Sequence, residues 1–317
     1  MTEFAGALEA AGDALRAAAG SIGADISFDV RAALTRDAPV PLAPPCLWSA
    51  NRHCRLVRAA DGWLAVNLAR PDDRDTVPAW LESPLDADPW DSVVSRAKRQ
   101  SVAQLLEGAI RLQLPVAAVG EAAARRPAPL TGAVSRRTPP LVADLSALWA
   151  GPSCAALLAG CGLDVVKVEC PGRPDPTGAD IRLNGAKRRM TVDLDSPELF
   201  ELLASADVLV TSARPLALAR LGLTPATLFA ANPGLIWVAI TAHGWSGDAA
   251  LRVGFGDDCA AAGGLLTFVG DEPRFLGDAL GDPLTGLVAA TAALSTLARG
   301  GAGLLDAPLS GIAASFA

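Results

Sequence analysis

The chain has 317 residues, 51% of them hydrophobic, and a formal net charge of −7. This length and hydrophobic content predict one large α/β unit beside a smaller one. The acidic balance, without a long run of Lys and Arg, excludes nucleic acid as an expected partner. Six cysteines without a Cys-x-x-Cys pair, and only two histidines, predict buried thiols in a reducing cytoplasm and no metal site.

Residues 1–45 are predicted to be helical before a linker. Phe4, Leu8 and Leu15 recur at helical spacing, which predicts an amphipathic helix to about residue 22. A second helix is predicted over Ser27–Thr35, and the proline-rich end of this segment is typical of a linker. The first residues lack the basic region and the apolar core of a secretory signal peptide.

Residues 46–126 predict a small α+β unit with a core of its own. Two apolar runs flank Asp61-Gly62, a turn dipeptide that is typical of a β-hairpin, here over Cys54–Leu68. Three helices, a short strand and a helical end are then predicted, at Val77–Leu81, Trp90–Ala97, Ser101–Leu112, Val116–Val119 and Glu121–Arg125. Prolines and an arginine pair mark residues 127–140 as a second linker.

Over residues 141–317 strands alternate with helices. Strands are predicted at Leu141–Leu145, Asp164–Glu169, Met190–Leu194, Val208–Thr211 and Leu235–Thr241. Helices are predicted at Pro152–Cys161, Pro197–Ser205, Pro215–Leu221 and Pro225–Ala231. This alternation is typical of the α/β class and predicts a Rossmann-like, mostly parallel sheet with helices on both faces.

One stretch, Leu145–Leu163, has no charged residue and is as long as a membrane-spanning helix. Gly151-Pro152 interrupts it, and Asp144 and Asp164 flank it. We therefore interpret it as a strand end, a turn and a buried helix, and we expect no membrane partner.

The uncharged helical run Pro283–Ala298 follows a carboxylate. Asp282 is predicted to be the N-cap of this helix, with Pro283 at the first helical position. A cap is the ordinary role of such an aspartate. A carboxylate that a helix N-terminus keeps ionised is also a suitable nucleophile for acyl transfer. The residues alone leave both roles open.

A series of short motifs follows residue 140 in a fixed order. They include Val142–Ser146, Gly162–Glu169, Leu183–Arg188, Asp193–Glu198, Asn232–Val238 and Leu280–Gly286. Together they are similar to the family III CoA-transferases, which include formyl-CoA transferase, carnitine CoA-transferase and 2-methylacyl-CoA racemase. Residues 52–126 resemble the small domain of that family, which usually follows the Rossmann-like half, so the two units stand in swapped order here.

The resemblance implies an acyl-CoA:carboxylate CoA-transferase that acts through an aspartyl-acyl anhydride on Asp282. Asp278 lies in a repeat of the same Leu-Gly-Asp tripeptide, but only Asp282 precedes Thr-Gly at the family spacing. CoA contacts are expected, by position, at Leu148, Trp149, Ala150, Val192, Ser212, Ala213, Arg214, Arg220 and Phe255. The CoA thioester is then a substrate, a carboxylic acid is the acceptor, and no cofactor is tightly bound.

Two alternatives remain beside the transferase. In a racemase-like enzyme Asp282 would act as a base, but the family's partner histidine is replaced by Phe255 and His243 is interpreted as a loop residue. The other alternative is a non-catalytic CoA-binding subunit. The resemblance also implies a homodimer. Lys187-Arg188-Arg189, the densest basic cluster, is interpreted either as an offset for phosphate charge or as a solvated strand entry.

Overall fold

The computed structural model describes residues 2–35, 41–172 and 181–317, with only the backbone of Ile181. Residues 37–40, the first part of the predicted proline-rich linker, lie outside the described residues. Of the helices in the described part of the chain, none is long and apolar enough to cross a membrane.

The first helix, α1 (Thr2–Ser21), confirms the amphipathic pattern at the start of the chain. The second helix predicted over Ser27–Thr35 is wrong, because only a short 3-10 turn forms there, at Ala32–Leu34. The side chain of Asp29 accepts the backbone N–H of Arg31 at 2.9 Å. A local side-chain bond of this kind competes with helical hydrogen bonding and favours a turn.

A small α+β unit follows. Its elements are β1 (Cys54–Arg58), β2 (Trp63–Asn67), α2 (Pro71–Leu81), α3 (Pro89–Ala97), α4 (Val102–Arg111) and β3 (Val116–Ala118). The three strands form an antiparallel sheet in chain order, which confirms the hairpin around Asp61-Gly62. The inner face of this sheet packs on the three helices through a core that includes Val57, Val66, Val77 and Leu105.

The chain after β3 is extended, so the helical end predicted at Glu121–Arg125 is wrong. Its backbone N–H groups bond to distant segments instead. Ala122 N–H donates to the carbonyl of Ala262, and Arg125 N–H donates to that of Gly311, both at 2.9 Å. These long-range bonds tie the linker to the larger unit and leave no local helical pairing.

The larger unit begins at residue 141. Its first elements are β4 (Leu141–Asp144), α5 (Ala150–Gly160), β5 (Asp164–Glu169), α6 (Ile181–Asn184), β6 (Arg188–Thr191), α7 (Pro197–Ser205), β7 (Val208–Thr211), α8 (Pro215–Arg220), α9 (Pro225–Ala231) and β8 (Ile236–Thr241). Its remaining elements are α10 (Gly256–Ala262), β9 (Leu266–Val269), β10 (Glu272–Phe275), α11 (Gly281–Ala298), β11 (Gly303–Pro308) and α12 (Leu309–Ala314).

Six of these strands form one sheet in the order β11-β8-β7-β4-β5-β6, and every neighbouring pair is parallel. This confirms the predicted Rossmann-like sheet. The strand predicted at Met190–Leu194 begins and ends earlier, because β6 pairs with β5 from Arg188 onward. The chain then leaves the sheet through a turn in which Ser196 N–H donates to the Asp193 carbonyl.

Helices cover both faces of the sheet, as predicted. On one face, α1, α5 and α11 pack on alternate residues of the strands, such as Val142, Val208 and Val238. On the other face, α7, α8 and α9 pack on the intervening residues, among them Leu209 and Trp237. Of these helices, α11 packs most extensively on α5, and this contact positions the site described below.

The two units are docked through a shared apolar core. Cys54, Leu56 and Ala65 of the small sheet pack against Ala261 of α10 and Phe275 of β10. The domain boundaries stay a prediction. They divide the sequence into an N-terminal segment, the small unit, a linker and the Rossmann-like unit. All six cysteines are free thiols, but two of them are only half-buried, contrary to expectation: Cys46 and Cys170.

Candidate active site

The loops that carry most of the expected CoA contacts lie at one edge of the sheet. In a parallel sheet all strands end on the same side, which we name the carboxyl edge, and ligands of such folds bind there. The loops after β4 and β7 are joined directly, because Ser212 Oγ accepts the backbone N–H of Ala147 at 2.9 Å. Val192 follows β6 at the same edge. In the sheet, β4 and β5 lie between β6 and β7.

The start of α11 brings Asp282 to this edge. The prediction that Asp282 caps the helix is wrong: the helix begins at Gly281, Leu280 occupies the N-cap position, and Asp282 lies in the first turn. Ala279 adopts a left-handed conformation (φ 46°) and its carbonyl accepts the N–H of Asp282 at 2.9 Å, so the chain turns before Asp282. The half-buried carboxylate still lies at the helix N-terminus, which favours its negative charge.

Two glycines bring the starts of α10 and α11 into contact. A Cβ built on Gly256 would collide with Asp282 Oδ2 and lie 2.5 Å from the carbonyl oxygen of Ala279. A Cβ built on Gly281 would lie 2.7 Å from the carbonyl oxygen of Gly256. No side chain fits at either position without a shift, since real Cβ atoms do not approach other heavy atoms so closely. Gly256 therefore sets the place of the Asp282 carboxylate.

The loop before α5 supports the same turn from another side. Trp149 is 3% exposed and packs against Ala279 and Leu183. The carbonyl of Ala150 lies 2.9 Å from the position of a Cβ built on Gly286, one turn along α11 from Asp282. Leu148 has a left-handed backbone (φ 71°) and a partly exposed side chain. The structure thus brings three of the expected CoA-contact residues next to the Asp282 turn.

A network of buried carboxylates holds this turn in place. The Asn51 Nδ2 group donates to Asp257 Oδ2 and to Asp278 Oδ1, each at 2.9 Å. Asp257 Oδ1 accepts the backbone N–H of Ala279 at 2.8 Å. Asp278 is therefore buried within the turn, while Asp282 is more exposed, which supports Asp282 as the reacting carboxylate. Sequence reasoning missed Asn51, because its partners lie more than 200 residues away.

Asp258 is a second feature that sequence reasoning missed. It is fully buried, and it accepts hydrogen bonds from Asn67 Nδ2 at 3.0 Å and from the backbone N–H of Phe255. Burial raises the pKa of Asp258 to about 7, although the hydrogen bonds from Phe255 and Asn67 lower it. Because Asn67 ends β2 and Asp258 lies in the first turn of α10, the bond between Asn67 and Asp258 links the small unit to α10.

Arg70 of the small unit contacts Phe255, and two further arginines stand at expected CoA-contact positions of the larger unit. The guanidinium of Arg70 lies 5.5 Å from the centroid of the Phe255 ring, and Arg214 Nη1 donates to Gln113 Oε1 at 2.8 Å. Burial first, and then the charges of Arg70 and Arg220, lower the pKa of Arg214. Arg220 and Ala213 are exposed. Sequence reasoning singled out the two larger-unit arginines but missed Arg70.

Lys187 fits neither interpretation of the basic cluster, whereas Arg188 and Arg189 are exposed at the start of β6, as a solvated strand entry requires. Its side chain is fully buried, and Nζ donates to Asp144 Oδ2, Asn184 Oδ1 and the carbonyl of Pro152 at 2.8–2.9 Å. Burial lowers the pKa of Lys187, and the adjacent Asp144 carboxylate opposes this. Lys187 is a structural ion-pair partner behind the first strand of the sheet. Arg188 by contrast is exposed and pairs with Asp164.

His243 lies in the loop after β8, as expected. Burial, followed by the charge of Arg252, lowers its pKa to about 3, so the ring is neutral at ordinary pH. Among the described residues, no hydrogen-bond partner reaches its buried Nε2 atom.

The larger unit is similar to a known protein family and to several of its members. The family model described as CoA-transferase family III matches residues 141–305, just over half of the chain. A succinyl-CoA–D-citramalate CoA-transferase of Chloroflexus aurantiacus is 34% identical over 175 residues, which cover 49% of this chain and 44% of that protein. A succinate–glutarate CoA-transferase of Agrobacterium fabrum is 31% identical over 190 residues, which cover 51% of this chain and 48% of that protein.

A solved structure is also similar. The crystal structure of a hypothetical protein from Mycobacterium tuberculosis matches with a TM-score of 0.50 and 29% identity, covering 58% of this chain and 56% of that one. The chain spans about half the length of the curated relatives it matches.

Proposed function

Because this chain belongs to the family III CoA-transferases, we propose that it transfers CoA from an acyl-CoA thioester to a carboxylic acid, with Asp282 as nucleophile. The observation that carries this proposal is the placement of Asp282. Its carboxylate lies at a helix N-terminus, at the carboxyl edge of a parallel sheet and directly against Gly256. A positioned, ionised carboxylate is suited to attack a carbonyl carbon.

The reaction proceeds by exchange at the thioester carbon. An Asp282 oxygen attacks this carbon, the C–S bond breaks, and an aspartyl-acyl anhydride forms while CoA leaves as a thiolate. The thiolate then attacks the aspartyl carbonyl, which releases the donor acid and leaves CoA on Asp282. The acceptor carboxylate and the same thiolate repeat the two steps in reverse and yield the new thioester.

The CoA thiolate has to stay bound between these steps. Binding of the distant nucleotide fixes the reacting end and keeps the thiolate at high effective concentration. We assign this binding to Leu148, Trp149, Ala150, Val192, Ser212, Ala213, Arg214, Arg220 and Phe255. The loop contact between Ser212 and Ala147 and the packing of Trp149 on Ala279 support this assignment for the loops after β4 and β7.

The substrates are proposed from the relatives. Their names include succinyl-CoA, citramalate and glutarate, all dicarboxylic acids or their thioesters. We extend this class to the present chain as a proposal, together with a homodimer as the assembly. Free thiols at all six cysteines support a reducing compartment such as the cytoplasm.

The test is a transfer assay with defined pairs of thioester and acid. The chain is incubated with succinyl-CoA and glutarate, and glutaryl-CoA is measured by mass spectrometry. The proposal expects product from the wild type and from Asp271→Asn, a matched variant in the exposed turn between β9 and β10, and none from Asp282→Asn. Product from Asp282→Asn at the wild-type rate would refute the assignment.

A racemase-like reaction is tested in a second experiment, in which a branched acyl-CoA is incubated with the chain in deuterated water. It needs a second acid–base group opposite Asp282, and the side chain of Phe255 cannot exchange a proton. Deuterium incorporated at the α-carbon of a branched acyl-CoA, without transfer of CoA, would favour that alternative.

A further inference from the structure

Three arginines gather where the small unit meets the Rossmann-like unit. Arg214 follows β7 and is held by Gln113, which lies in the turn after α4 of the small unit. Arg70, which directly precedes α2, also comes from the small unit, and Arg220 ends α8. Burial lowers the pKa of Arg214, and the charges of Arg70 and Arg220 lower it further. The bond from Arg214 to Gln113 brings an arginine of the larger unit against the small unit, which also carries Arg70.

The guanidinium of Arg70 is held rigidly. Its Nε and Nη2 atoms donate to the two carboxylate oxygens of Asp73 at 2.8 and 2.6 Å, and Asp73 is 3% exposed. Two parallel hydrogen bonds fix the plane of the group as well as its position. The ring of Phe255 lies at 5.5 Å, within the range of a cation–π contact. Among the described residues, no acceptor takes a hydrogen bond from Nη1, and the Arg70 side chain is 45% exposed.

The charges of the cluster are only partly balanced. Asp73 compensates Arg70, whereas the described partner of Arg214 is the neutral amide of Gln113. In the described part of the chain, no carboxylate forms an ion pair with Arg214 or Arg220. Guanidinium groups that lack a carboxylate partner favour the binding of an anion between them.

The cluster borders the reacting carboxylate. Phe255, on which Arg70 lies, is directly followed by Gly256, which contacts Asp282. The residue that Arg70 contacts and the residue that Asp282 contacts are therefore adjacent in the chain, and the small unit contributes a cation at this point.

We propose that Arg70 binds an oxyanion of the acyl-CoA substrate together with Arg214, so that the small unit completes the binding cleft. The proposal rests on the proposed function and adds a residue from the other unit. Two groups of such a substrate carry the required chemistry: the CoA diphosphate and the second carboxylate of a dicarboxylic acyl chain. Both accept the two or more hydrogen bonds that a guanidinium donates.

The experiment compares three ligands by isothermal titration calorimetry: CoA, valeryl-CoA and glutaryl-CoA. The two thioesters have five-carbon acyl chains and differ by one carboxylate. Arg70→Gln is expected to weaken binding about tenfold or more, the effect of losing a charge-assisted hydrogen bond. Arg99→Gln, an exposed arginine after α3, is the control and should leave all three affinities unchanged.

The pattern of the loss identifies the oxyanion. Equal weakening for all three ligands places the phosphates on Arg70. Weakening for glutaryl-CoA alone places the acyl carboxylate there. Unchanged affinity for all three ligands in Arg70→Gln overturns the proposal. Arg70→Gln leaves the buried Asp73 carboxylate without its ion-pair partner, which can destabilise the fold. A double variant, Arg70→Gln with Asp73→Asn, removes both charges and tests binding without this penalty.

Binding is measured without turnover, which separates the two proposals. If the wild-type chain binds the thioesters but transfers no CoA, the proposed function is wrong. The Arg70 variants still decide whether Arg70 binds an oxyanion of the ligand. A wild-type chain that binds none of the three ligands would overturn both.

Discussion

The carboxylate of Asp282 lies against Gly256, at a position where any Cβ atom would collide with Asp282 Oδ2. The two residues are the second residue of α11 and the first residue of α10. Their contact joins the two helix N-termini at the carboxyl edge of the sheet. The place of the proposed nucleophile thus depends on the absence of one side chain.

Gly256→Ala should therefore impair both stability and activity. The added methyl group meets Asp282 Oδ2 and the carbonyl of Ala279, so the start of α11 has to shift. Overpacking of this kind costs about 1–3 kcal/mol of unfolding free energy. Denaturant unfolding and the transfer assay measure the two effects. Gly6→Ala is the control: with open space around it in α1, it should be stabilising. A fully active and stable Gly256→Ala would contradict the contact.

Asn51→Leu should destabilise the turn before Asp282. The substitution keeps the approximate volume but removes the amide that donates to Asp257 and Asp278. Loss of a donor to buried charged groups costs about 1–3 kcal/mol. We expect a lower free energy of unfolding in urea and slower transfer, since the tie of Asp257 to Ala279 loosens with it. An unchanged unfolding curve would show that the amide contributes nothing.

Asp258→Asn should change how stability depends on pH. The raised pKa of Asp258 means that the folded chain keeps a proton which the unfolded chain releases. Stability from this group is therefore fully present below the unfolded pKa of about 4 and lost as pH rises to about 7, with a slope of up to about 1.4 kcal/mol per pH unit. Urea unfolding at several pH values should show this slope in the wild type and not in the variant.

The control for that comparison is Asp248→Asn, which alters an exposed carboxylate in the loop after β8. It should keep the wild-type slope. If Asp258→Asn and the wild type lose stability in parallel between pH 4 and 7, Asp258 is not the titrating group.

Substitutions at two adjacent members of the basic cluster should change the free energy of unfolding by very different amounts. Lys187→Met leaves Asp144 as a buried charge without its ion-pair partner and should cost about 3–5 kcal/mol of unfolding free energy. Arg188→Gln removes an exposed ion pair with Asp164 and should cost less than about 1 kcal/mol. Denaturant titration of both variants tests this. Similar losses in the two variants would contradict the assignment of Lys187 to the interior.

Local sequence signals were sufficient for much of the sheet and its helices. Ser196 and Thr224 each cap a helix that has proline at its first turn, and α7 and α9 begin as predicted. The apolar runs Asp164–Glu169 and Val208–Thr211 are strands with the predicted bounds. Caps, prolines and short apolar runs act over a few residues, so they are visible in a single sequence.

Several of the errors have causes that a pattern of apolar residues does not show. The bounds of α11 depend on the left-handed Ala279, which a pattern of apolar residues does not indicate. The segment Glu121–Arg125 is extended because its backbone bonds to α10 and α12. Arg70, Asn51 and Asn67 belong to the small unit and reach the site only after the two units dock. Contacts between residues so far apart in sequence leave no periodic signal.

The central claim is that Asp282 carries the acyl group during turnover. The direct measurement is to add hydroxylamine to the chain turning over succinyl-CoA, digest it, and locate the modified residue by peptide mass spectrometry. The account predicts a hydroxamate on Asp282 that requires the thioester and is absent from Asp282→Asn. A hydroxamate on Asp278 instead, or transfer of CoA that continues without any trapped aspartate, would contradict it.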